Sequence, residues 1–553
     1  MLKRFSEGMV FAILLSAPWL LARADAAPPV HNAKQPSAIE VIPAVRLGDN
    51  TTLTGRVTHR EIHLPATIII RDQQGQRRQA QTDDQGNYHI DISGLSSPLR
   101  LLAIESGGTN CQLSNLPRAI CLNALAPSLQ SAHDNVVNVN PLTDRIISDV
   151  AVAAGYPGPQ QLADDSTSPT LDNAALKKAY AAFHAGFNSA LKQAGIAAPT
   201  RFDPLTYPIS QQQSVTDIIN VINHNRNYDN NSGYSGYTVL TDSVFRPIVG
   251  QYGQGDYEPL DYHFAVKHLD AMQKASTRIF LVGDATAASA EKNRQPLTGW
   301  GQVFEQLFRP DNGIAVVNGA RPGSGSRDYF YDGWFRQIQP LMKPGDFLFI
   351  QMGINDQNCD KTKPLRGAAD VANLCTYPND AAGKTQSPPG KADMSLQTSL
   401  ERYVNFARQH QLTPVLLTPT TRVHAADGKI GTPAVHNHLT KQNAEGGYAF
   451  IGDYSKTIKE TAVANKVILL DIEPATIALA NQGNSNHWKQ YWLAVDPNRY
   501  PFYRNQVGSL TKPDATRFQR KGAIAVAVIV ADAIRKTPEL KTLADGLIDS
   551  GRK

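Results

Sequence analysis

Five apolar runs in the second half of the chain alternate with segments of helix length. They are RIFLVGD (278–284), GIAVVNGA (313–320), DFLFIQMG (346–353), LTPVLLTPTT (412–421) and KVILLDI (466–472). Continuous apolar runs with helix-length connections are typical of parallel strands that are buried on both faces. The pattern predicts an α/β domain over residues 276–547, in which helices sandwich a mainly parallel sheet.

Shorter runs precede this domain and predict a different architecture. Between residues 39 and 126, LTGRV (53–57), ATIIIRD (66–72), GNYHIDI (86–92) and LRLLAIE (99–105) alternate with turns rich in Asp, Gly and Gln. Such spacing predicts a small antiparallel β-sandwich. The module can bind sugar or act as a spacer, and we favour the spacer because no aromatic platform is visible in its sequence.

Residues 137–235 are predicted to form a helical connecting region and a loop. LTDRIISDVAVAAG (142–155) and ALKKAYAAFHAGFNSALKQAG (175–195) place apolar residues three and four apart, and each run ends at a glycine. A stretch rich in Asn, Gly, Ser and Tyr follows from Asn223 to Gly236. Its composition predicts a long loop or linker.

The first residues have the order of a secretory signal peptide. Lys3 and Arg4 precede an apolar run over residues 9–21, and small residues follow at Ala24 and Ala26. This order predicts cleavage near Ala26, a signal peptide over residues 1–26, and a secreted or periplasmic protein. The apolar run is too short to span a bilayer, so no membrane span is expected.

Export gives the four cysteines a structural meaning, because an oxidising compartment permits disulfides. Cys111 and Cys121 form one close pair in the sequence, and Cys359 and Cys375 form another. Three pairings are possible, and the local ones are favoured. Neither pair has CxxC spacing, which argues against a zinc site.

Composition and charge narrow the classes of partner. The chain has 553 residues, of which 41% are hydrophobic and 19% charged, as in soluble globular proteins. Its net charge of +5 comes from basic residues without a long Lys/Arg run, which gives little support for nucleic-acid binding. A polyuronate such as pectin is a compatible partner. No metal motif and no nucleotide-binding loop is present in the sequence, so we expect no cofactor.

Four polar blocks carry the candidate chemistry. They are GDATAAS (283–289), NGARPG (318–323), GIND (353–356) and DATRF (514–518). The first three follow predicted strands, and the binding crevice of a parallel sheet lies beyond the carboxyl ends of its strands. The blocks are therefore predicted to meet at one edge of the sheet.

In this order the blocks resemble those of the SGNH, or GDSL-type, hydrolases, and within them the bacterial rhamnogalacturonan and pectin acetylesterases. The resemblance implies a nucleophilic serine in the first block and an aspartate and histidine in the last. This chain has Ala285 at the serine position and Arg517 at the histidine position, and it retains Asp514. The implied oxyanion hole consists of the backbone N–H groups of Ala285 and Gly323 and the side chain of Asn355.

The two replacements predict an inactive active site. Alanine has no oxygen that can form an acyl enzyme, and arginine does not accept a proton near neutral pH. Arg517 is expected to pair with Asp514 or to present a fixed cation to a carboxylated substrate. The chain is thus expected to bind acetylated pectic polysaccharide without hydrolysing it.

Other side chains are candidate substitutes for the missing groups. The hydroxyl candidates are Thr286 and Ser289, which we expect on a following helix, with Thr286 at its start. The histidine candidates are His424, His436, His438 and His487, each of which also fits a surface role. Further departures from the family pattern stand beside the crevice at Ser324, Gly325 and Ile354.

Two other functions stay open. One is an active carbohydrate acetylesterase that uses an unrecognised nucleophile and base, such as water activated by Asp514 or a loop histidine. The other is an envelope structural protein that assembles through the β-sandwich. Retention of Gly323, Asn355 and Asp514 argues against the structural role.

Overall fold

The structure is a computed structural model that describes residues 39–60, 62–108, 111, 118–208, 213–227, 236–248, 258–357, 374–440 and 451–548. The predicted signal peptide and Cys359 lie outside the described residues. Cys111 and Cys121 form a disulfide, which confirms the local pairing predicted for them. Cys375 is also disulfide-bonded.

The described β-strands are numbered from the amino terminus. They are β1 (Val45–Arg46), β2 (Thr52–Arg56), β3 (Thr58–His59), β4 (Ile62–His63), β5 (Ala66–Arg71), β6 (Arg77–Gln81), β7 (Asn87–Asp91), β8 (Ser96–Ser97), β9 (Leu99–Glu105), β10 (Cys121–Ala126), β11 (Asp134–Val136), β12 (Ile222–Asn227), β13 (Tyr237–Asp242), β14 (Thr277–Gly283), β15 (Ile314–Asn318), β16 (Phe347–Gln351), β17 (Thr413–Leu417) and β18 (Ile468–Leu470).

The described α-helices are numbered in the same way. They are α1 (Pro141–Ala153), α2 (Pro159–Asp164), α3 (Asn173–Gln193), α4 (Gln213–Asn220), α5 (Tyr262–Lys274), α6 (Gly301–Phe304), α7 (Ser326–Tyr331), α8 (Trp334–Ile338), α9 (Leu396–Gln409), α10 (Tyr454–Ala464), α11 (Glu473–Ala480), α12 (Arg520–Arg535) and α13 (Lys541–Gly546).

A five-stranded parallel sheet forms the centre of the second half of the chain. Its strand order is β15-β14-β16-β17-β18, and every neighbouring pair is parallel. Residues Leu281 and Asn318 are partners across β14 and β15, and Gly283 and Gln351 are partners across β14 and β16. The carboxyl ends of these three strands therefore lie side by side.

Helices cover both faces of this sheet, because alternate residues of each strand point to opposite sides. Ile279 and Leu281 of β14 belong to one buried cluster, to which α6 and α12 contribute. Phe280 and Val282 of the same strand belong to a second cluster, which α8, α9 and α10 complete. This arrangement confirms the α/β class predicted from the sequence.

The first part of the chain has two main sheets that share a core. One sheet has the order β10-β9-β5-β6 and the other has the order β11-β2-β7. Ile68 and Leu101 of the first sheet and Leu53 of the second are fully buried in one cluster. The residue boundaries predicted for the separate modules stay a prediction.

The prediction of a loop from Asn223 to Gly236 is wrong at its start, where residues 223–227 belong to a strand, whereas the next strand begins only after Gly236. Residues 222–227 form β12 and pair in antiparallel register with residues 237–242 of β13. Asn223, His224 and Arg226 of β12 are buried and have polar partners: Asn223 donates to the carbonyl of Asp242, and His224 and Arg226 contact the carboxylate of Asp144 on α1. A buried polar network thus makes a strand from a composition that is typical of loops.

Several polar contacts join the first part of the chain to the α/β domain. The Arg336 guanidinium on α8 pairs with the Glu105 carboxylate at the end of β9. The side chain of Gln337 donates to the carbonyl of His224 over 2.7 Å. Within the ranges that the structure describes, no helix has both the length and the apolar character that a membrane crossing needs.

Candidate active site

The four blocks lie at the carboxyl edge of the parallel sheet. Ala285 follows β14, Gly323 follows β15 and Asn355 follows β16, and these strands are neighbours. The last block joins them through the loop after β17, where the N–H of Val423 donates to the carbonyl of Ala515 over 2.9 Å. The structure thus places all the blocks at one end of one sheet.

The turn after β14 is built around the buried carboxylate of Asp284. Its Oδ1 accepts hydrogen bonds from the N–H of Thr286 at 2.9 Å and from the hydroxyl of Thr286 at 2.8 Å. The carbonyl of Asp284 accepts from the N–H groups of Ala287 and Ala288. Ala285, at the top of this turn, is half-buried and presents a methyl group where the family has a hydroxyl.

Thr286 does not begin a helix, so that part of the sequence interpretation is wrong. Residues 285–288 form turns and a bend, and the next α-helix begins at Gly301. Instead, the hydroxyl of Thr286 donates to the carboxylate of Asp284 and accepts a hydrogen bond from Nε2 of Gln351 over 3.1 Å. The carbonyl of Thr286 accepts from Trp300. A fully buried hydroxyl with these partners serves the scaffold.

Ser289 has a comparable structural role. It is only 7% exposed, and its hydroxyl lies 3.3 Å from the side-chain nitrogen of Asn318, which also donates to the carbonyl of Ala287. Asn318 therefore fixes the turn of the first block from the end of the neighbouring strand. Neither hydroxyl candidate presents itself at the surface of the crevice.

The second and third blocks are joined by Asp356 and Asn355. The carboxylate of Asp356 accepts from the N–H and hydroxyl of Ser326 and from the N–H of Gly353, at 2.7, 3.0 and 2.9 Å. The side chain of Asn355 donates to the carbonyl of Ser324 over 3.1 Å. One N–H of the Asn355 amide thus holds the loop that carries Gly323.

Glycine is required at two positions of these loops for different reasons. Gly323 has a φ of 79° and is exposed, with no atom within 4 Å of the place a Cβ would take. A side chain at Gly325 would instead meet the carboxylate of Asp356 at 2.9 Å. The loop backbone near Gly323 therefore faces open space, while Gly325 permits a close approach of the third block.

The last block contains an ion pair between Asp514 and Arg517, the positions where the family resemblance implies an aspartate and a histidine. The Nε of Arg517 donates to Oδ2 of Asp514 over 2.6 Å, and the N–H groups of Thr516 and Arg517 donate to Oδ1. The side chain of Asp514 is 6% exposed and that of Arg517 is 29% exposed. Of the two roles predicted for Arg517, the pairing with Asp514 is the one that is formed.

Arg422 is a charged residue of this edge that the sequence reasoning missed. Its guanidinium donates to the side chain of Gln357 over 2.7 Å and to the carbonyl of Ile354 over 3.1 Å. Ile354 itself is buried, as a packing residue would be. Arg422 directly follows the predicted strand run LTPVLLTPTT. Its position could therefore have been predicted, since residues just beyond the strands of this sheet lie at the edge of the crevice.

The carboxyl group of Asp284 has an unusual environment. Burial raises its pKa to about 6, against the opposing hydrogen bonds from Thr286, and the nearby charge of Asp356 raises it further while Arg422 lowers it. Its Oδ2 is buried without a hydrogen-bond partner among the described residues. The group therefore changes its charge near neutral pH, in contact with the turn that carries Ala285.

Two of the histidine candidates, His436 and His438, lie in the segment after β17 and have buried polar partners. His438 is fully buried, with its Nε2 2.9 Å from the carbonyl of Thr420 and its Nδ1 2.7 Å from the side chain of Gln357. Burial holds the pKa of His438 well below its ordinary value. His436 places its Nδ1 2.7 Å from the carboxylate of Glu473 on α11.

The other two histidine candidates, His424 and His487, lie in different segments of the chain. His424 is half-buried in the loop beside Arg422, and burial together with the charge of Arg422 lowers its pKa. His487 lies next to Gln490, whose side chain is 3.0 Å from its Nδ1. Across the described ranges, no group of three or more His, Cys, Asp or Glu side chains has the geometry to hold a metal ion.

About half of this chain is similar in sequence to known carbohydrate esterases. No protein-family model matches the chain. The rhamnogalacturonan acetylesterase RhgT of Bacillus subtilis is 27% identical over 266 residues, which is 48% of this chain and 92% of RhgT. The probable rhamnogalacturonan acetylesterase YesY of the same species is 25% identical over 266 residues, which is 47% of this chain and 94% of YesY.

Similar solved structures also cover about half of this chain. The crystal structure of YxiM from Bacillus subtilis has a TM-score of 0.32 at 18% identity and covers 47% of this chain and 57% of that chain. A variant of Axe2, an acetyl xylan esterase from Geobacillus stearothermophilus, has a TM-score of 0.28 at 15% identity and covers 50% of this chain and 98% of that chain. The sequence matches confirm the resemblance that the four blocks predict: this chain is similar to rhamnogalacturonan acetylesterases and has a carbohydrate-esterase ancestry.

Proposed function

We propose that this chain is a secreted protein that binds acetylated pectic polysaccharide and does not hydrolyse it. The observation that carries the proposal is the double replacement in a retained scaffold. Ala285 stands at the position of the nucleophile, and Arg517 stands at the position of the base in an ion pair with Asp514. A guanidinium that donates to this carboxylate cannot also accept a proton from a hydroxyl or a water.

The groups that would hold an ester remain in place around the crevice. The methyl group of Ala285 occupies less space than the hydroxymethyl group of serine, and Gly323 has open space above it. The backbone N–H groups of Ala285 and Gly323 and the amide of Asn355 are donors suited to the carbonyl oxygen of an acetyl group. Binding through these donors needs neither nucleophile nor base.

A second candidate function is an active acetylesterase that relies on His424. Burial and the charge of Arg422 lower the pKa of this histidine, so that it is neutral at pH 7 and able to accept a proton. This candidate requires a water as nucleophile, because Thr286 and Ser289 are buried and hydrogen-bonded within the scaffold. It predicts acetate release that is lost in His424→Ala.

Acetate release from acetylated pectin and from a small aryl acetate separates the two functions. We expect no release by the parent chain and release by the double variant Ala285→Ser/Arg517→His, at least about 10³-fold above the parent. Release by the parent at a rate close to that of the double variant would contradict the proposal. The same parent should bind acetylated pectin more tightly than deacetylated pectin, and no affinity for either would remove the binding role.

A further inference from the structure

One segment of the α/β domain carries a charge surplus as large as that of the whole chain. Residues 487–521 contain seven Lys or Arg residues and two Asp residues, a surplus of five positive charges. The whole chain has 54 Lys or Arg and 49 Asp or Glu, a surplus of the same size. We call residues 487–521 the basic segment. Outside it, positive and negative residues are balanced.

The basic segment folds back on itself, so that its two ends lie side by side. The N–H of Leu493 donates to the carbonyl of Arg517 over 2.9 Å, and the N–H of Asp514 donates to the carbonyl of Leu493 over 2.8 Å. One residue pair further, the N–H of Gln519 donates to the carbonyl of Tyr491. The two ends of the segment, which carry Lys489 and Lys521, are thereby brought together.

Aromatic rings lie among these cations. The Arg499 guanidinium is 5.5 Å from the ring of Tyr500, and the Lys521 ammonium is 5.1 Å from the ring of Tyr491. Phe502 is 37% exposed, and the Arg294 guanidinium lies 5.0 Å from its ring. The surface therefore combines flat apolar faces with positive charge.

Of the seven cations, only Arg517 forms an ion pair with a carboxylate among the described residues. Arg517 pairs with Asp514, but Arg499 and Arg504 are exposed and form no ion pair with a described residue. An exposed guanidinium can bind a carboxylate through two parallel N–H bonds. Arg499 and Arg504 flank the exposed ring of Phe502 in the sequence.

We propose that the basic segment is a binding surface for a polyuronate, that is, a polysaccharide with a carboxylate on its sugar rings. Arginines bind the carboxylates, and the exposed ring of Phe502 covers the apolar face of a sugar. The inference rests on the proposed function, because the segment includes Asp514 and Arg517 and so continues from the predicted acetyl-binding crevice. A carbohydrate chain whose acetyl group enters the crevice would extend over the segment.

Continuity with the crevice favours a polysaccharide over a nucleic acid. The matched relatives are carbohydrate esterases by name, and the crevice edge and the basic segment are joined at Ala515, whose carbonyl accepts from Val423. A nucleic acid would be held by its phosphates at the same cations, and its binding would not depend on a neighbouring acetyl site. The two polymers are therefore compared directly in the test.

The test measures the affinity of the full chain for polygalacturonate without acetyl groups. The double variant Arg499→Gln/Arg504→Gln should bind it about fivefold to tenfold more weakly than the parent, with a weaker dependence on salt. The matched control is Lys178→Gln/Lys192→Gln, which removes the same charge from exposed residues of α3 and should bind like the parent. Thermal unfolding confirms that each variant is folded.

The outcomes separate this inference from the proposed function. Equal affinity of the parent and the arginine variant for polygalacturonate overturns the inference, as does equally tight binding of the parent to single-stranded DNA of the same charge. If acetylation of the polymer changes no affinity while the arginine variant still binds more weakly, the acetyl-binding proposal fails and the polyuronate surface stands. A Phe502→Ala variant that also binds more weakly supports the contribution of the ring.

Discussion

Arg517 binds the carboxylate of Asp514 from two sides, with its Nε 2.6 Å from Oδ2 and its own N–H 3.0 Å from Oδ1. The family resemblance implies an aspartate here that orients a histidine, whereas in this chain Asp514 pairs with a permanent cation. The arginine is thus compatible with the scaffold, because the carboxylate still accepts a hydrogen bond from the side chain at position 517. What is lost is the ability of that partner to take up a proton.

We expect each single reversion to fail where the double reversion succeeds. Ala285→Ser restores a hydroxyl without a base, and Arg517→His restores a base without a nucleophile. Because the two groups act as a unit, each single variant should release acetate at less than about a tenth of the rate of Ala285→Ser/Arg517→His. Initial rates with an aryl acetate check this. High activity of Ala285→Ser alone would identify another base in the crevice.

Asp284 should make stability depend on pH between about pH 4 and pH 8. Burial raises its pKa to about 6 in the folded chain, above the ordinary value of 3.8, so the folded state holds the proton more tightly. The associated stability is present at acid pH and is lost as pH rises through about 6. Asp284→Asn removes this dependence and should gain about 2–3 kcal/mol relative to the parent between pH 4 and pH 8.

Urea unfolding across this pH range provides the measurement. The exposed Asp49→Asn serves as the charge control and should follow the pH dependence of the parent. If the difference in unfolding free energy between Asp284→Asn and the parent is the same at pH 4 and pH 8, the carboxyl group of Asp284 does not titrate in this range in the way its burial implies.

The parallel sheet can be predicted from the sequence because its strands are continuous apolar runs separated by segments of helix length. The run RIFLVGD predicts a strand at residues 278–284, and β14 is Thr277–Gly283. The same holds for the run DFLFIQMG at residues 346–353, which predicts a strand where β16 is Phe347–Gln351. In both cases the local pattern and the burial in the fold agree, so the period of the apolar residues is sufficient.

The failures have a common physical cause, which is a polar side chain whose partner is distant in sequence. The residues of β12 have the composition of a loop, and they form a buried strand because β13 pairs with it and the carboxylate of Asp144 on α1 binds its polar side chains. Threonine is a residue type typical of helix starts, but the side chain of Gln351 on β16 donates a hydrogen bond to the hydroxyl of Thr286. Arg422 was missed for the same reason, because its partners lie 65 and 68 residues away.

His436 should stabilise the fold at acid pH. Burial opposes its protonation, but the hydrogen bond to Glu473 and the charges of Glu473 and Asp453 raise its pKa above the ordinary value. A raised histidine pKa gives stability that is fully present below the unfolded pKa and is lost as pH rises through the folded value. His436→Gln should therefore be less stable than the parent at pH 5, and this difference should shrink by pH 8.

The exposed His89→Gln is the matched control for this comparison, and its unfolding midpoint should stay close to that of the parent at both pH values. Midpoints in urea at pH 5 and pH 8 suffice. A deficit of His436→Gln that is larger at pH 8 than at pH 5 would mean that the neutral imidazole is the form that the loop stabilises.

The buried pair of Asp144 and Arg226 should be more sensitive to the loss of one partner than to the loss of both. Burial alone raises the pKa of Asp144, but the charges of Arg226 and His224 hold it well below its ordinary value. Arg226→Met leaves this carboxylate without its strongest partner and should cost about 3–5 kcal/mol of unfolding free energy. The double variant Asp144→Leu/Arg226→Met removes both charges and should cost less than Arg226→Met alone. Urea unfolding of the parent and the two variants measures these differences. If the double variant is less stable than Arg226→Met, the hydrogen bonds that Asp144 accepts from Asn123 and Thr238 stabilise the fold by more than the burial of its charge costs.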